Sequence, residues 1–304
     1  MTTRSNPSFR SAFIAFIGRP NSGKSTLLNT IIGEEISIVS ALPQTTRGIT
    51  RGIYTTDSMQ LVFVDTPGVH IGKHAMNRAM LHDARRAIAD DVDLVCYLVD
   101  LSRDYAGEEA VVADMVRSIT KVPVLIVFNK TDCVPQVDAA VRRFYSTFAD
   151  MAGRPSVCLS ARSAEARDLF IAAVDPFVPE GPLYFDPEEL TDATMRTIAA
   201  EYIRKQIIRV AGKEVPHAAF IEIESYRESA ERHEIIATIH VETRGQRGII
   251  VGREGCVISR IKKGARDELS KLVGTAVSLT CHVKVSPRWR DNETFLRQMG
   301  VDGI

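Results

Sequence analysis

The segment Gly18–Ser25 limits the folds open to this chain of 304 residues more than any other stretch. It reads GRPNSGKS and lies between the apolar run Ala12–Ile17 and the helical pattern Ser25–Ile32. Glycines at its first and sixth positions let backbone N–H groups turn inward around phosphate oxygens, and the following helix adds the positive end of its dipole. The segment therefore predicts a strand, a phosphate-binding loop and a helix in succession. A glycine-rich turn without a ligand is the alternative on this segment alone.

The polar residues of this loop suit phosphate chemistry. The Lys24 ammonium supplies a point charge to the outer phosphates, and the Ser25 hydroxyl is a ligand for Mg²⁺. We expect contacts from the whole loop and the residue after it, namely Gly18, Arg19, Pro20, Asn21, Ser22, Gly23, Lys24, Ser25 and Thr26.

Two further segments carry residues that suit a magnesium–phosphate site. Asp65-Thr66-Pro67-Gly68 follows an apolar strand, so the Asp65 carboxylate can reach Mg²⁺ and the Gly68 N–H can approach a γ-phosphate. Thr45-Thr46-Arg47 lies in a long polar connection, where Thr46 can complete the Mg²⁺ shell in the triphosphate state. Either segment alone is an ordinary turn or loop. The predicted catalytic residues are Lys24, Thr46, Asp65 and Gly68, and the predicted metal ligands are Ser25, Thr46 and Asp65.

The segment Asn129-Lys130-Thr131-Asp132, at the end of another apolar run, predicts the base. The Asp132 carboxylate can accept hydrogen bonds from N1–H and the exocyclic amine of guanine, whereas adenine presents a lone pair at N1 and no amine at C2. Asn129 can bond the N7 side and hold neighbouring loops, and the Lys130 stem can cover the ring. Ser160-Ala161 offers a backbone donor to guanine O6. A helix-capping turn is the alternative for Asn-Lys-x-Asp alone.

Residues 9–178 alternate nearly continuous apolar runs with amphipathic stretches, which is typical of an α/β domain with buried parallel strands. The expected strands are Ala12–Ile17, Leu61–Asp65, Leu94–Asp100, Val124–Asn129 and Val157–Ser160. The expected helices are Ser25–Ile32, Ala75–Ala89, Glu108–Ile119, Val137–Ala149 and Ala164–Val174. A further strand, Ile49–Tyr54, is expected to form a hairpin with Leu61–Val64 across Thr56-Asp57-Ser58. The sheet is therefore expected to be mixed but mostly parallel.

A second domain is expected after residues 179–190, a segment rich in proline, glycine and acidic residues that reads as a linker. Residues 1–8 are expected to be an N-terminal tail, and residues 191–304 the second domain. That domain shows the order α-β-β-α-α-β, which predicts an α+β fold. Its expected elements are a helix over 192–210, strands Phe220–Ser225, Glu234–Val241 and Val277–Val285, two helical stretches before the last strand, and a tail helix after Asp291.

Charge is balanced over the whole chain but not along it. Lys and Arg number 38, as do Asp and Glu, so the net charge gives no reason to expect a nucleic-acid partner. Between Arg244 and Arg297, however, twelve basic residues stand beside five acidic ones, a net charge of +7. This segment favours a nucleic-acid surface over the alternative of ordinary solvated helix faces.

Cysteine usage and the length of the apolar runs indicate the compartment. Five widely spaced cysteines without a Cys-x-x-Cys pair disfavour a disulfide framework or a structural zinc site and fit a reducing cytosol. No apolar run approaches the roughly 18 residues of a membrane-spanning helix. The run Ala12–Ile17 is too short for the core of a signal peptide. We therefore expect a cytoplasmic protein.

The ordered nucleotide segments resemble those of the translation-factor-related GTPases. In the second domain, Ile250–Ile258 (IVGREGCVI) looks like the I-x-G-x-x-G-x-x-I core of a KH domain, and the tail Trp289-Arg290-Asp291 also fits. A GTPase domain followed by a C-terminal KH domain is similar to the bacterial ribosome-assembly GTPases over essentially the whole chain. The resemblance implies a P-loop GTPase domain followed by an α+β KH domain of type II that binds RNA.

The resemblance also carries over to particular residues near the phosphates. Thr66, Pro67 and Val69 are expected to contact the nucleotide with their neighbours. Val69 stands where Ras-type GTPases place a glutamine that orients the attacking water. Valine has no polar group, so the resemblance implies slow intrinsic turnover without a side-chain general base. Asn21 is implied as a ligand for a monovalent cation, K⁺, near the β- and γ-phosphates, and a turn-forming role after Pro20 is the alternative.

In the second domain the resemblance implies an RNA-binding loop. Glycines at both ends of a G-x-x-G loop allow close approach to a nucleic-acid backbone, and such loops clamp about four nucleotides of single strand. The residues expected to bind RNA are Gly252, Arg253, Glu254, Gly255, Arg260, Lys262 and Lys263. Glu254 departs from the neutral or basic residues usual there. Lys262 stands where glycine is common, and Gly264 falls inside a helical stretch, where glycine costs about 1 kcal/mol against alanine.

The function implied by the resemblance is a GTP-hydrolysing switch. GTP hydrolysis would toggle loops 45–47 and 65–74, and these would control capture of RNA by the KH domain. The implied partners are GTP and GDP, Mg²⁺, and the 3′ end of small-subunit ribosomal RNA during maturation of the 30S subunit. A monomeric state and a peripheral contact with the inner face of the cell membrane are further expectations.

Two other functions stay open on the sequence. One is an RNA-binding protein in which GTP is only a structural ligand. The other is a GTPase that works mainly at the membrane surface or in cell-cycle signalling.

Overall fold

The computed structural model describes residues 8–36, 50–65, 92–105, 107–211 and 215–298. These residues form two units, of which the first ends at Asp192 and the second begins at Ala193. Several sequence predictions lie outside the described residues: those for Thr45, Thr46, Arg47, Thr66, Pro67, Gly68 and Val69, and the helix over 75–89.

The first unit is built on a six-stranded sheet. Its strands are β1 (Arg10–Ile17), β2 (Thr50–Thr55), β3 (Met59–Asp65), β4 (Leu94–Asp100), β5 (Val124–Asn129) and β6 (Ser156–Cys158). They are ordered β2-β3-β1-β4-β5-β6, and neighbouring strands run parallel except for the antiparallel pair of β2 and β3. The predicted mixed, mostly parallel sheet is confirmed. The predicted hairpin is present, closed by the Thr56 N–H, which donates to the Met59 carbonyl at 2.8 Å.

Helices cover both faces of this sheet. They are α1 (Lys24–Ile32), α2 (Glu108–Ser118), α3 (Val137–Thr147) and α4 (Ala166–Val174), with single 3₁₀ turns at Thr131–Cys133, Ala149–Met151 and Asp175–Phe177. Successive strand residues point to opposite faces, so β1 gives Ile14 and Phe16 to one hydrophobic cluster and Ala15 and Ile17 to the other. Every residue of β3, β4 and β5 is buried, as expected for continuous apolar strands covered on both sides.

The parallel strands bring the functional loops to one edge of the sheet. β3, β4 and β5 end in Asp65, Asp100 and Asn129, and the phosphate loop begins at Gly18, directly after β1. In the register, Asp65 pairs with Phe16 of β1, and Asp100 pairs with Asn129. Three polar side chains and the phosphate loop therefore lie side by side, at the carboxyl edge where α/β sheets bind ligands.

The second unit has a three-stranded sheet with helices packed on it. Its elements are α5 (Met195–Val210), α6 (Val215–Ala218), β7 (Phe220–Glu228), β8 (Arg232–Val241), α7 (Arg244–Val251), α8 (Cys256–Val273), β9 (Ala276–Val285) and α9 (Glu293–Gln298), with 3₁₀ turns at Arg253–Gly255 and Trp289–Asp291. The sheet order is β7-β8-β9, with β7 antiparallel and β9 parallel to β8. This is the predicted α+β order, with the short α6 in addition. Ile203, Ile239 and Ile261 lie in its hydrophobic core.

Residues 179–190, which composition indicated to be a linker, lie along the first unit. The Ser11 N–H donates to the Pro179 carbonyl at 3.1 Å, and the Ile53 N–H to the Leu190 carbonyl at 2.9 Å. The buried Gln60 side chain accepts from the Tyr184 N–H at 2.8 Å and donates to the Phe185 carbonyl at 3.0 Å. Proline and glycine exclude a regular helix but leave backbone groups free to pair with a sheet edge, so composition could not show this docking.

No described helix is both long enough and apolar enough to span a membrane.

Candidate functional site

Within the phosphate loop, position 23 requires glycine for two reasons. Gly23, at the N-terminal end of α1, has φ +100°, a conformation that L side chains rarely adopt. A Cβ there would lie 2.1 Å from Nδ2 of Asn129. Both observations explain why glycine stands at this position.

The Lys24 side chain is buried against the start of its own loop. The residue is 6% exposed, and its ammonium donates to the carbonyls of Gly18 and Arg19, both at 3.1 Å. Burial lowers the pKa of Lys24 to about 8, while the charges of Asp65 and Glu109 act in the opposite direction. The ammonium therefore lies inside the loop, where the negative charge of a phosphate would compensate for the hydration that it loses on burial.

Two of the predicted magnesium ligands are in contact. The Ser25 hydroxyl, at the start of α1, donates to Oδ2 of Asp65 at 3.0 Å, and Asp65 is buried at the end of β3. A hydroxyl beside a carboxylate is a hard oxygen donor set of the kind that Mg²⁺ takes in nucleotide sites, where phosphates and water complete the shell. No cluster of three metal-ligating His, Cys, Asp or Glu side chains occurs in the described part of the chain. The pair therefore fits Mg²⁺ that arrives with a nucleotide.

Asn129 joins three loops. Its Nδ2 donates to the Ser22 carbonyl of the phosphate loop at 2.8 Å. Its Oδ1 accepts from the Lys130 N–H at 2.7 Å and from the Ala161 N–H at 2.9 Å. The structure thus brings together the phosphate loop, the Asn129–Asp132 segment and the Ser160-Ala161 turn, as the sequence predicted.

Asp132 is exposed beside Ser160. A hydrogen bond from the Ser160 side chain lowers the pKa of Asp132, so the carboxylate is charged at neutral pH and acts only as an acceptor. Lys130 adopts the left-handed conformation with φ +64°, which turns the chain into the 3₁₀ segment Thr131–Cys133. These contacts present an acceptor group at the end of the site that the sequence predicts to bind the base.

Asp100 is a functional candidate that sequence reasoning missed. Its buried carboxylate, at the end of β4, binds the Lys130 ammonium with Nζ and Oδ2 2.7 Å apart. The pair fixes the side chain that was predicted to cover the base. The signal that could have found it is the one that identified Asp65, a carboxylate directly after a fully buried strand.

The predicted RNA loop connects α7 and α8. α7 begins with a capping box between Thr243 and Gln246. Gly252 has φ +73°, and a Cβ on it would lie 2.5 Å from the Val257 side chain. Gly255 also has a left-handed φ, +76°, but the atom nearest to an added Cβ is 3.9 Å away. Packing therefore requires glycine at position 252, whereas position 255 has room for a side chain.

The charged residues predicted to bind RNA surround this loop. Arg253, Glu254, Arg260 and Lys263 are exposed, and Lys262 is half-buried. Glu254 takes a left-handed conformation, φ +51°, inside the loop. The loop and the first turns of α8 therefore present one acidic and several basic side chains to solvent.

Gly264, which the sequence placed inside a helix at a cost, lies where α8 packs on α5. A Cβ at this position would lie 2.4 Å from Oε1 of Gln206, which is buried. Gln206 in turn donates to Glu268 at 3.1 Å. The close approach of the two helices explains the glycine.

Family models match both units. A model described as 50S ribosome-binding GTPase matches residues 13–130, and a KH domain model matches residues 214–290. These ranges contain the phosphate loop, Asp65 and Asn129 in the first case and the Gly252–Gly255 loop in the second.

Relatives match the chain along almost its full length. GTPase Era of Geobacter metallireducens is 39% identical over 297 residues, which cover 97% of this chain and 98% of the relative. GTPase Era of Synechocystis is 39% identical over 293 residues, 96% of this chain and 92% of the relative.

Two solved structures have the same fold as this chain. A structure of Era with MgGDPNP and nucleotides 1506–1542 of 16S ribosomal RNA has a TM-score of 0.90 and 26% identity, and covers 96% of this chain and 99% of its own. A variant of Aquifex aeolicus Era bound to GDP and AlF₄⁻ also has a TM-score of 0.90, with 27% identity and the same coverage.

Proposed function

This chain belongs to the Era family of GTPases, and from that premise we propose that GTP hydrolysis in it controls the capture of single-stranded RNA. The observation that carries the proposal is the full-length similarity to a structure of Era that holds MgGDPNP and a segment of 16S ribosomal RNA together. Both the nucleotide half and the RNA half of that relative have counterparts in this chain.

The phosphate end of the site uses charge and backbone donors. We assign the Lys24 ammonium and the N–H groups of the Gly18–Ser25 loop to the phosphates, and Ser25 and Asp65 to Mg²⁺, with Thr46 and the Gly68 N–H joining in the triphosphate state. The contact between Ser25 and Asp65 supports this assignment. Mg²⁺, when bound, neutralises charge on the phosphate oxygens. Thr26, Thr66 and Pro67 complete the contacts that we assign to this end.

The chain carries no water-orienting side chain at the position where Ras-type enzymes have a glutamine. Val69 follows Gly68 and has no polar atom with which to orient water. We therefore infer slow intrinsic turnover. Asn21, which has φ +63° in the phosphate loop, is our candidate ligand for K⁺ near the β- and γ-phosphates.

The base end selects guanine through Asp132. Its charged carboxylate accepts the N1–H and the exocyclic amine of guanine, and adenine leaves it without these donors. A site that leaves a polar group unpaired with the wrong ligand rejects that ligand by several orders of magnitude. The Lys130 stem, held by Asp100, covers one face of the base, and the turn at Ser160-Ala161 supplies a donor to O6.

The RNA half relies on a glycine-framed loop and its positive neighbours. An added Cβ at Gly255 would have no atom nearer than 3.9 Å, so we infer that an RNA backbone can approach the main chain there. We assign the neutralisation of phosphates on either side of the loop to its basic neighbours, Arg253, Arg260, Lys262 and Lys263. Glu254 bears the opposite charge, and we assign it to exclude phosphate from the tip or to accept from a base amine.

The partner that the proposal implies is the 3′ end of small-subunit ribosomal RNA in the assembling 30S subunit. We propose that the protein meets it in the cytoplasm as a monomer. The five cysteines are all free, in keeping with a reducing compartment. The alternative partner for the basic segment Arg244–Arg297 is the inner face of the cell membrane.

The experiment is RNA binding across a salt series by the full chain. If the loop neutralises about four phosphates of a single strand, the logarithm of affinity should fall with the logarithm of salt at a slope of about −3. Gly255→Asp should remove most RNA affinity, because a side chain and a negative charge then meet the RNA backbone. Reversing the charge of Lys262 and Lys263 should flatten the slope while sequence preference persists, since phosphate contacts position and base contacts specify.

A matched control lies at the other end of the same helix. Gly274, after α8, also has a left-handed φ, +69°, and nothing within 4 Å of an added Cβ. Gly274→Asp introduces the same strain and charge away from the loop and should bind RNA like the parent. Equal RNA affinity in parent and Gly255→Asp, or tighter binding to anionic vesicles than to RNA, would overturn the proposed RNA site.

A further inference from the structure

A buried ion pair lies behind the phosphate loop, and its two side chains are not among the groups assigned to phosphate or Mg²⁺ above. Nε of Arg19, the second residue of the loop, lies 3.0 Å from Oε2 of Glu109 on α2. The two residues are 5% and 0% exposed. Burying two charges costs several kcal/mol of desolvation each, and apolar residues of similar volume often stabilise a fold as well or better. A contribution to stability therefore does not by itself explain the pair. Because Arg19 belongs to the phosphate loop, we look for its role in the conformation of that loop.

Glu109 is held from a second side by Tyr97 of β4. The Tyr97 hydroxyl, also fully buried, donates to Oε1 of Glu109 at 2.5 Å. Burial raises the pKa of Glu109, while the Tyr97 hydrogen bond and the Arg19 charge act in the opposite direction. One carboxylate oxygen is therefore fixed by the sheet, and the other is left to face Arg19.

The remaining nitrogens of Arg19 are occupied as well. One terminal nitrogen donates to the Asp104 carbonyl at 2.9 Å, and the other contacts the Asp100 carbonyl at 3.4 Å. Because the guanidinium is planar, the two hydrogen bonds to carbonyls and the nearby Glu109 carboxylate together restrict its orientation. The side chain thus fixes the start of the phosphate loop relative to β4 and α2.

The backbone carbonyl of Arg19 forms hydrogen bonds with two residues that we assign to phosphate binding. Its carbonyl accepts from the Lys24 ammonium at 3.1 Å and from the Ser22 N–H at 3.3 Å. A shift of Arg19 would therefore move the acceptor that holds the cation and would open the turn that presents the loop N–H groups.

We propose that Glu109 is a positioning residue for nucleotide binding, which acts through Arg19 to hold the phosphate loop in the shape that receives the phosphates. It touches no ligand itself. The inference depends on the GTPase activity of the family and is independent of the RNA proposal.

This role predicts a particular kinetic pattern. A preformed loop serves GDP, GTP and the transition state alike, so its loss weakens binding uniformly and leaves the chemical step at saturation unchanged. We expect Glu109→Gln to weaken GDP and GTP binding by the same factor, about tenfold, through faster dissociation. KM should rise by that factor, and kcat should stay within about twofold of the parent.

The matched control is another carboxylate of the same helix. Asp114 lies on the solvent side of α2 and pairs with Arg117 at the surface. Asp114→Asn makes the same carboxylate-to-amide change away from the loop and should leave GDP dissociation at the parent rate. A second variant, Tyr97→Phe, removes only the hydroxyl that orients Glu109 and should raise GDP dissociation in the same direction but less.

The test measures release of a fluorescent GDP analogue and steady-state GTP turnover for the full chain, with thermal unfolding followed in parallel. A double variant, Arg19→Met with Glu109→Leu, separates positioning from stability, because it removes both buried charges at once. We expect it to unfold near the parent temperature when no nucleotide is present and still to release GDP faster than the parent. If the double variant regains both stability and parent-like GDP release, the pair is only structural and the proposal is overturned.

Parent-like GDP release in Glu109→Gln, or a fall in kcat at unchanged KM, would equally overturn it. Should Glu109→Gln fail to fold, Tyr97→Phe decides: faster GDP release with unchanged kcat supports the proposal, and unchanged release refutes it.

Discussion

Replacing Asn129 with alanine removes one side chain that connects three loops of the nucleotide site. The amide is 1% exposed and makes hydrogen bonds of 2.7–2.9 Å to the Ser22 carbonyl, the Lys130 N–H and the Ala161 N–H. Each bond contributes about 1 kcal/mol net, and a buried group left without its partner costs about 1–3 kcal/mol. The three losses together amount to about 3 kcal/mol.

We expect that free energy to be shared between folding and binding, because the nucleotide is proposed to contact the same loops. If about 2 kcal/mol of it appears in binding, GDP affinity falls about thirtyfold. The rest should lower the unfolding free energy of the first unit. GTP affinity should fall by a similar factor, since we assign all three loops to the binding of both nucleotides.

The assay is titration of a fluorescent GDP analogue, with circular dichroism to confirm that the variant is folded. Asn292→Ala is the control, because Asn292 also accepts a backbone N–H, that of Phe295 at 3.0 Å, but in the second unit. GDP affinity of Asn129→Ala within about threefold of the parent would refute the view that this amide organises the site.

Three further predictions concern single residues of the two units. Asp132→Asn should lose guanine nucleotides and gain xanthine nucleotides, because xanthine carries a carbonyl where guanine has its C2 amine; competition between GTP and XTP measures this. Lys24→Ala should abolish hydrolysis and weaken GTP binding at least about tenfold, since a charge-assisted contact to phosphate is lost, and a nucleotide titration with a turnover assay tests both. Gly264→Ala should destabilise the second unit by about 1 kcal/mol, because overpacking against Gln206 outweighs the gain in helix propensity, whereas Gly248→Ala, in open space on α7, should stabilise it by up to about 1 kcal/mol. Fluorescence of Trp289, the sole tryptophan of the chain and buried in the second unit, reports the unfolding of that unit in denaturant.

Motifs and strand patterns in this chain were readable because their causes are local. The Gly18–Ser25 loop follows from glycine conformation and a few polar groups at fixed spacing. The strands β4 and β5 have the predicted bounds, Leu94–Asp100 and Val124–Asn129, since continuous apolar runs flanked by polar residues leave little choice. The second domain was equally readable from the order of its elements.

Element ends were less predictable, because single hydrogen bonds decide them. α5 begins at Met195 instead of 192, since the Thr194 side chain accepts from the Thr197 N–H at 3.2 Å and caps the helix there. β6 ends at Cys158, before the predicted Ser160, because the Ser160 carbonyl accepts from the Ser163 N–H at 2.8 Å in a turn. Neither the hydrophobic pattern nor the composition shows which hydrogen bond ends a helix or strand.

Contacts between distant segments could not be predicted from the sequence. Arg19 and Glu109 are ninety positions apart, and their pairing depends on how α2 packs on the sheet. The need for glycine at position 264 could not be predicted either, because it arises from contact with Gln206 of α5, which is distant in the sequence. Composition indicates a linker at residues 179–190, because it excludes helices there without excluding pairing to a strand edge.

GTP turnover as a function of single-stranded RNA concentration tests the coupling of hydrolysis to RNA capture most directly. The measurement compares the parent chain with Gly255→Asp and Gly274→Asp at one salt concentration. We predict slow turnover without RNA, a rise with RNA in the parent and in Gly274→Asp, and no rise in Gly255→Asp. Turnover that stays constant while RNA saturates the parent chain would contradict the account and would leave GTP as a structural ligand.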